Sequence, residues 1–399
     1  MIEQKPLRGV RVLDLSRVLA GPFCAMNLAD LGAEVIKIEL PGRGDDSRGY
    51  APRIPHSNDS GYYYSVNRGK RSVTIDLRQA AGAELMLELV RHCDVVVENF
   101  SPGTMERFNL GYARLAGVNP RVILCSISGF GQSGPMAAAP AYDIVAQALG
   151  GTMSITGQPD GEPTRCGVSV GDLAAALYGV IAILAALRER DASGAGRHLD
   201  IAMLDCQVAW LEDALARFST TGNVPKPIGS RHPSITPFQH FRAADGHFVA
   251  GCGNEAIWRR FCDAIGLPGL KDDARFLTNA DRTANHAALD PILRRHFAAS
   301  PRAHWLKLLE AANVPSAPIA TVDEVARNPH LLERQMILRA EHPDFDGLIV
   351  PGSPLKTAGA TSAPVTRAPA LGEDTDAVLT ELLGYDAERI ARLRADKII

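Results

Sequence analysis

Leu7-Arg8-Gly9-Val10-Arg11-Val12-Leu13-Asp14-Leu15, then Leu19-Ala20-Gly21-Pro22, then Asp30-Leu31-Gly32-Ala33-Glu34-Val35-Ile36-Lys37-Ile38-Glu39, is the stretch that decides the fold class. Val10 to Leu15 is a short run of Leu and β-branched residues and reads as a buried strand. Gly21-Pro22 punctuates its exit and opens a helix over about Pro22 to Leu31. Gly32 caps that helix, and Val35 to Ile38 is a second strand. A βαβ unit therefore begins almost at residue 1. Its first turn, Ser16-Arg17-Val18-Leu19-Ala20-Gly21-Pro22, lacks the G-x-G-x-x-G fingerprint, so a Rossmann-like sheet is expected without the usual dinucleotide.

The alternation continues outward from this unit. Strands are expected at Ser72 to Leu77, Asp94 to Glu98, Val122 to Ser128 and Arg197 to Met203. Helices are expected at Ala80 to His92, Leu173 to Arg190 and Leu204 to Phe218. Repeated βα units imply an α/β fold with a parallel sheet covered on both faces. The Ala-rich apolar helix from Leu173 is expected to be buried on most of its surface. Gly222 to Pro237 is rich in Pro and Gly and reads as a crossing linker. Short strands flank the Asp245-Gly246 turn, at Phe238 to Phe241 and His247 to Gly251. Helices follow at about Glu255 to Ile265 and Pro301 to Ala312. Thr321 and Glu324 form a capping box opening a helix to Arg327. The tail ends in a final helix, Asp374 to Leu383. The expected organisation is a large Rossmann-like domain from 1–205, a linker helix and crossing segment at 206–225, a smaller α+β domain at 226–325, and a return through 326–399 that completes the large domain.

A chain of 399 residues is long for one core and fits two domains. Its formal charge of −3 argues against nucleic acid as the main partner. No run reads as a membrane span, and Glu3, Lys5 and Arg8 interrupt any signal-peptide layout. The seven cysteines are scattered, with no C-x-x-C pair, so neither a zinc site nor a disulfide frame is indicated. A cytoplasmic setting, with no metal, no NAD and no membrane, is the resulting expectation.

Two motifs carry possible chemistry. Gly129-Phe130-Gly131-Gln132-Ser133-Gly134 follows a strand, but Pro135 and Pro140 disturb the helix a dinucleotide would need, and no acidic strand end follows about 20 residues on. It reads better as a loop whose backbone can approach a ligand. Asp172, in Gly171-Asp172-Leu173, sits at the start of the long Ala-rich helix. There it is either a helix cap or a carboxylate nucleophile walled by backbone amides.

Taken in order, Leu7 to Asp14, Leu19 to Pro22, Gly32 to Glu39, Lys70-Arg71-Ser72, Asp94 to Phe100 with Pro102-Gly103, Asn119 to Val122, Gly171-Asp172, Arg367-Ala368-Pro369 and Leu371-Gly372-Glu373 resemble the family III CoA-transferases over nearly the whole chain. The resemblance implies that Asp172 is a covalent nucleophile and that CoA, delivered as acyl-CoA, is the cofactor-like substrate. It places CoA contacts at Leu19, Ala20, Ile75, Arg78, Asn99, Phe100, Arg107 and Tyr142; taken alone, Arg78 and Arg107 would pass for surface charges. Asp143 resembles a second acidic residue near the nucleophile, suited to steering the acceptor or tuning Asp172.

The family's formyl-CoA transferases close over the intermediate with consecutive glycines. Here the corresponding stretch, Ile228 to Ile235, holds only Gly229, which speaks against a formyl/oxalate pair. Arg231 and His232 would meet an acceptor carboxylate, or the stretch is a solvated linker. The implied reaction moves CoA from an acyl-CoA to a free carboxylic acid, with a dicarboxylate as the expected class. The alternative is proton transfer at the α-carbon, as in the α-methylacyl-CoA racemases of the same fold. These carry His where this chain has Tyr142, and Tyr is a poor base at neutral pH. A non-catalytic acyl-CoA-binding protein is disfavoured by the intact Asp172. The resemblance also implies an interlocked homodimer.

Overall fold

The computed structural model describes residues 5–357 and 367–399. Residues 1–4, with Glu3 of the leader argument, and 358–366 of the return segment lie outside the described residues. The chain forms two units. One comprises Met1–Thr152, Cys166–Glu212 and Asn328–Ile399; the other comprises Met153–Arg165 and Asp213–Arg327. The residues 153–165, placed by the sequence reading in the large domain, thus group with the second unit, and the first unit runs on to 212.

The first unit is built on β1 (Arg11–Asp14), β2 (Glu34–Glu39), β3 (Lys70–Thr74), β4 (Val95–Glu98), β5 (Ile123–Ser128) and β6 (His198–Ala202). They form one parallel sheet in the order β3-β2-β1-β4-β5-β6, the doubly wound order. Val12 pairs with Val35 on one side and Val95 on the other. Successive residues along β1 enter opposite layers: Val12 packs with Ala25, Leu28 and Ala175, and Leu13 with Met86 and Leu89. Burial on both faces leaves β4 and β5 enclosed along their whole length, whereas the edge strand β6 alternates.

The helices of this unit up to residue 212 are α1 (Ala20–Asp30), α2 (Gly61–Asn67), α3 (Ala80–Val90), α4 (Thr104–Arg107), α5 (Tyr112–Val118), α6 (Asp143–Leu149), α7 (Thr152–Ile155), which crosses the unit boundary, α8 (Val170–Ser193) and α9 (Met203–Ala209). The first layer on the sheet holds α1 and α8, the second α3 and α5.

Three helix expectations are corrected. The 204–218 helix is broken: α9 ends at Ala209, Glu212 takes a left-handed φ of 49°, and α10 (Ala214–Thr221) starts afresh. Apolar periodicity ran through the break and concealed it. Helix α8 is long and apolar enough to cross a membrane, contrary to the reading that no run approaches a span, and about half of its apolar stretch is buried in the fold. Its buried stripe includes Ala176, Val180, Ile183 and Leu187, while Leu177, Tyr178, Ile181 and Leu184 are exposed; it is therefore not buried on most of its surface.

The second unit carries a three-stranded antiparallel sheet of β7 (Phe238–Arg242), β8 (His247–Gly251) and β9 (Ser316–Pro318), with β8 central. Its helices are α10, α11 (Glu255–Ala264), α12 (Asn279–Ala284), α13 (His286–Phe297), α14 (Arg302–Ala311) and α15 (Val322–Ala326), the last opened by the Thr321–Glu324 capping box. The core is aromatic: the Phe297 ring lies 4.8 Å from Phe241, 5.1 Å from Phe248 and 5.2 Å from Trp305. The first unit is completed by α16 (Pro329–Glu333), a hairpin of β10 (Ile337–Arg339) and β11 (Ile349–Pro351), α17 (Thr375–Leu383) and α18 (Ala387–Ala395). The helix expected to be final is thus followed by another.

Candidate active site

The sheet order reverses at β1 and β4, and the loops leaving their C-terminal ends frame the site, as the switch-point rule expects. The β1–α1 turn is held from below by a buried charge network. Lys70 Nζ donates to Asp14 Oδ2 at 2.8 Å, and Lys37 Nζ contacts Asp45 Oδ2 at 2.8 Å and the Ser16 carbonyl at 2.8 Å. All four charged side chains are fully enclosed. Burial pulls Lys70 down to about 8 despite Asp14 beside it. Burial raises Asp45, but Lys37 and the hydrogen bonds from Ser47 together hold it at about 2.

The Asp45 carboxylate also accepts the Val18 N–H, 3.1 Å away, which fixes Val18 in a left-handed conformation, φ 69°. Gly21 lets the turn fold back, since a Cβ there would meet Ser16 at 2.1 Å. Asp45 was not singled out in the sequence. The usual signal, a glycine at positive φ, is absent because Val18 occupies the position.

A cleft of ≈ 330 Å³ opens beside this turn. Its walls bring together four of the expected CoA contacts, Ile75, Arg78, Phe100 and Arg107, and add Arg17 and Arg43. Phe100 packs edge-on against Phe108, and the Arg17 guanidinium lies 5.6 Å from the Phe100 ring. Arg78 is exposed and forked onto Asp76, while Arg107 donates to Thr104 Oγ1. Apolar rings flanked by arginines suit a nucleotide carrying phosphates.

Leu19, Ala20 and Asn99 do not line this cleft. Leu19 and Ala20 begin α1, and Asn99 clamps the turn by accepting from Arg17 N and donating to Arg17 O, both at 2.8 Å. Tyr142 is 82% exposed at the start of α6. The Gly129–Gly134 loop turns its amide to the protein itself: Gln132 N–H donates to both oxygens of Asp200.

Asp172 is not the cap of α8. Ser169 holds the N-cap position, and Asp172 lies in the first turn. The Gly171 N–H is instead taken by Asp143 Oδ1, reaching across from α6 at 2.8 Å. Gln147 on the next turn of α6 donates to Asp143 Oδ2 at 2.7 Å and accepts from Cys166 N at 3.0 Å. Gln147 is a residue the sequence did not single out.

This arrangement leaves the Asp172 carboxyl uncommitted to capping. Burial, and secondarily the Asp143 charge, push it up to about 7. The Tyr62 phenol, raised to about 12 by burial, senses Asp172, Tyr50, Asp45 and Asp143. Because Asp45 lines the cleft, the carboxylate pair and the cleft share one electrostatic neighbourhood. A carboxyl raised toward neutrality by burial and by a neighbouring acid, at a helix start, is suited to nucleophilic chemistry.

Arg231 and His232 belong to the second unit. The Arg231 Nε is buried without a partner among the described residues, and burial lowers the Arg231 pKa. The His232 ring accepts from Ser234 N and packs against Phe238. No group of three or more His, Cys, Asp or Glu side chains among the described residues could hold a metal ion.

Comparison with known proteins decides the class. The model of CoA-transferase family III matches residues 7–375. The chain belongs to that family. It is 44% identical to the acetyl-CoA:oxalate CoA-transferase of Acetobacter aceti over 355 residues, 89% of this chain and 90% of that protein. It is 40% identical to the succinyl-CoA:glutarate CoA-transferase of Mus musculus, over 99% of this chain and 90% of that one. Among solved structures, a CAIB/BAIF family protein from Brucella suis superimposes with a TM-score of 0.84 at 38% identity, covering 95% of this chain and all of that chain. The family III enzyme is thus a CoA-transferase, and its cleft arginines and paired carboxylates fit that class.

Proposed function

We propose that this family III enzyme moves CoA from an acyl-CoA donor to a dicarboxylic acid through covalent intermediates on Asp172. The observation that carries the reading is the Asp172 carboxyl: partly buried, freed from capping by Asp143, and held near neutrality in its proton affinity. An Asp172 oxygen attacks the donor thioester carbonyl, and the C–S bond breaks, giving a mixed anhydride and CoA thiolate. The thiolate attacks the aspartyl carbonyl, releases the donor's acid and leaves an aspartyl-CoA thioester. The acceptor carboxylate displaces the thiolate to form a second anhydride, and the thiolate attacks the acceptor's acyl carbon. CoA then resides on the acceptor and Asp172 is regenerated, with no net proton and no ATP.

Relatives named for oxalate, glutarate and mesaconate support a dicarboxylate acceptor. The relative named for oxalate returns that acid to the panel, against the argument from the lone Gly229. The racemase alternative is not favoured by these relatives. Ile75, Arg78, Phe100 and Arg107 are assigned to the nucleotide end of CoA, the β1–α1 turn at Leu19 and Ala20 to its pantetheine end, and Arg231 to the acceptor. The working form is taken to be a cytoplasmic homodimer; seven free cysteines fit that compartment.

Asp172→Ala and Asp172→Asn are expected to lose transfer by roughly 1000-fold or more and to stay folded. Wild type incubated with donor should yield a hydroxamate at Asp172 on hydroxylamine trapping, located by peptide mass spectrometry. Near-normal transfer by the Asn variant would remove the covalent role.

A further inference from the structure

The C-terminus of this chain is tied to the rim of the cleft. The Ile398 carbonyl accepts from Asp76 N at 2.8 Å, and the Lys397 carbonyl accepts from Gln79 Nε2 at 2.8 Å. Ile399 is buried. The last turn of the protein is thereby hydrogen-bonded to the same segment that carries Ile75 and Arg78 into the cleft. A second, shallower cavity lies there, lined by Leu40, Pro41 and Gly42, by Asp76, Arg78 and Gln79, and by Arg394, Lys397 and Ile399. It shares Leu40, Asp76 and Arg78 with the main cleft, so the two are continuous.

Three cations meet at this shallow pocket. Arg78 spends Nε and Nη2 on Asp76, which leaves Nη1 for a ligand. Arg394 spends Nη2 on Asp376. Lys397 makes no ion pair among the described residues and is exposed. The facing acids are Asp76 and Asp376, each already engaged by an arginine. Carboxylates that orient arginines while leaving N–H groups open make a site for a more highly charged oxyanion.

We propose that this pocket takes the ribose 3′-phosphate of CoA, with Lys397 and Arg394 as binding residues beside Arg78. The inference rests on the reading that the main cleft holds the nucleotide end of CoA. A phosphate monoester carries close to two negative charges at neutral pH, enough to be shared among three cations. The 3′-phosphate is one ribose away from the adenine, which matches a basic rim adjoining an apolar wall of Ile75, Leu77 and Phe100. Arg394 and Lys397 would thus read the one group that distinguishes CoA from its dephospho form.

The test measures affinity by calorimetry for CoA and for 3′-dephospho-CoA, on full-length protein tagged at its N-terminus. Wild type is expected to bind CoA about tenfold more tightly than dephospho-CoA, a difference of about 1.4 kcal/mol. Lys397→Gln and Arg394→Gln should each weaken CoA binding roughly fivefold and dephospho-CoA binding less than twofold, so that the ratio falls toward one. Lys397→Arg should restore most of the preference. The proposal is overturned if wild type binds both ligands equally, or if the Gln variants weaken both by the same factor, even where transfer from acyl-CoA is intact. Failure of wild type to bind either ligand would overturn the CoA reading of the cleft itself, and this proposal with it.

Discussion

Asp143 decides how Asp172 can behave. It caps α8 through the Gly171 N–H, places a second acidic group near Asp172, the proposed nucleophile, and is itself oriented by Gln147. In the ligand-free protein Asp172 sits at about 7, raised first by burial and then by Asp143. Attack on a thioester needs the ionised carboxylate, so kcat/KM for the donor should climb with pH, about tenfold per unit below 7, and level off above. Asp143→Asn keeps an oxygen for the Gly171 amide and removes the charge. The midpoint should then move to lower pH without returning to the ordinary Asp value, because burial remains. A stopped-flow profile of donor consumption from pH 5.5 to 8.5 checks this; a flat profile, or a shift to higher pH in the variant, contradicts it. Asp172 was legible as a position but not in its role. Spacing left it either a cap or a nucleophile, and the three-dimensional approach of α6 shows that Asp143 takes the capping job.

At the scale of elements, helix α3 governs the floor of the cleft. Its first turn presses on the strand exit: a Cβ on Gly82 would fall 2.2 Å from the Asp76 carbonyl oxygen, which is backbone and cannot yield. Gly82→Ala must push α3 away from the segment that bears Ile75 and Arg78. A loss of roughly 1–3 kcal/mol is expected from overpacking, read by urea unfolding, together with a higher KM for acyl-CoA and a smaller change in KM for the acceptor. An unchanged stability would mean that α3 does not set this floor.

The central strands around this site were readable because burial on both faces favours β-branched runs; β4 is Val95-Val96-Val97-Glu98. The turn that lines the cleft was not, because its shape depends on Asp14, Lys37, Asp45 and Lys70, which come from distant segments. Helix α13 was passed over because Pro291 interrupts its pattern, although Leu289, Leu293 and Phe297 form a buried face.

For the whole molecule, α8 poses the question of partners. Its two apolar stripes are equally plain in the sequence, but sequence cannot say which chain covers which. Ala176, Val180, Ile183 and Leu187 are covered within this chain; Leu177, Ile181 and Leu184, at helical spacing, are not, with Ile181 60% exposed. Val168, Val208 and Trp210 are further exposed apolar side chains of the same unit. Exposure on this scale marks an association surface.

The chain also leaves the first unit after residue 212, builds the second, and returns at 328, which is the connectivity an interlocked pair requires. A second copy is therefore the expected cover. Interlocked subunits cannot part while folded, so loss of dimer and loss of structure should coincide in one denaturation transition whose midpoint rises with protein concentration. Sedimentation velocity should show a dimer from micromolar down to nanomolar protein, and Ile181→Glu, which plants a charge on the exposed stripe, should lower the yield of folded dimer rather than release a stable monomer. A folded monomer at nanomolar concentration, or an Ile181→Glu variant that is monomeric and folded, would rule out the interlocked assembly.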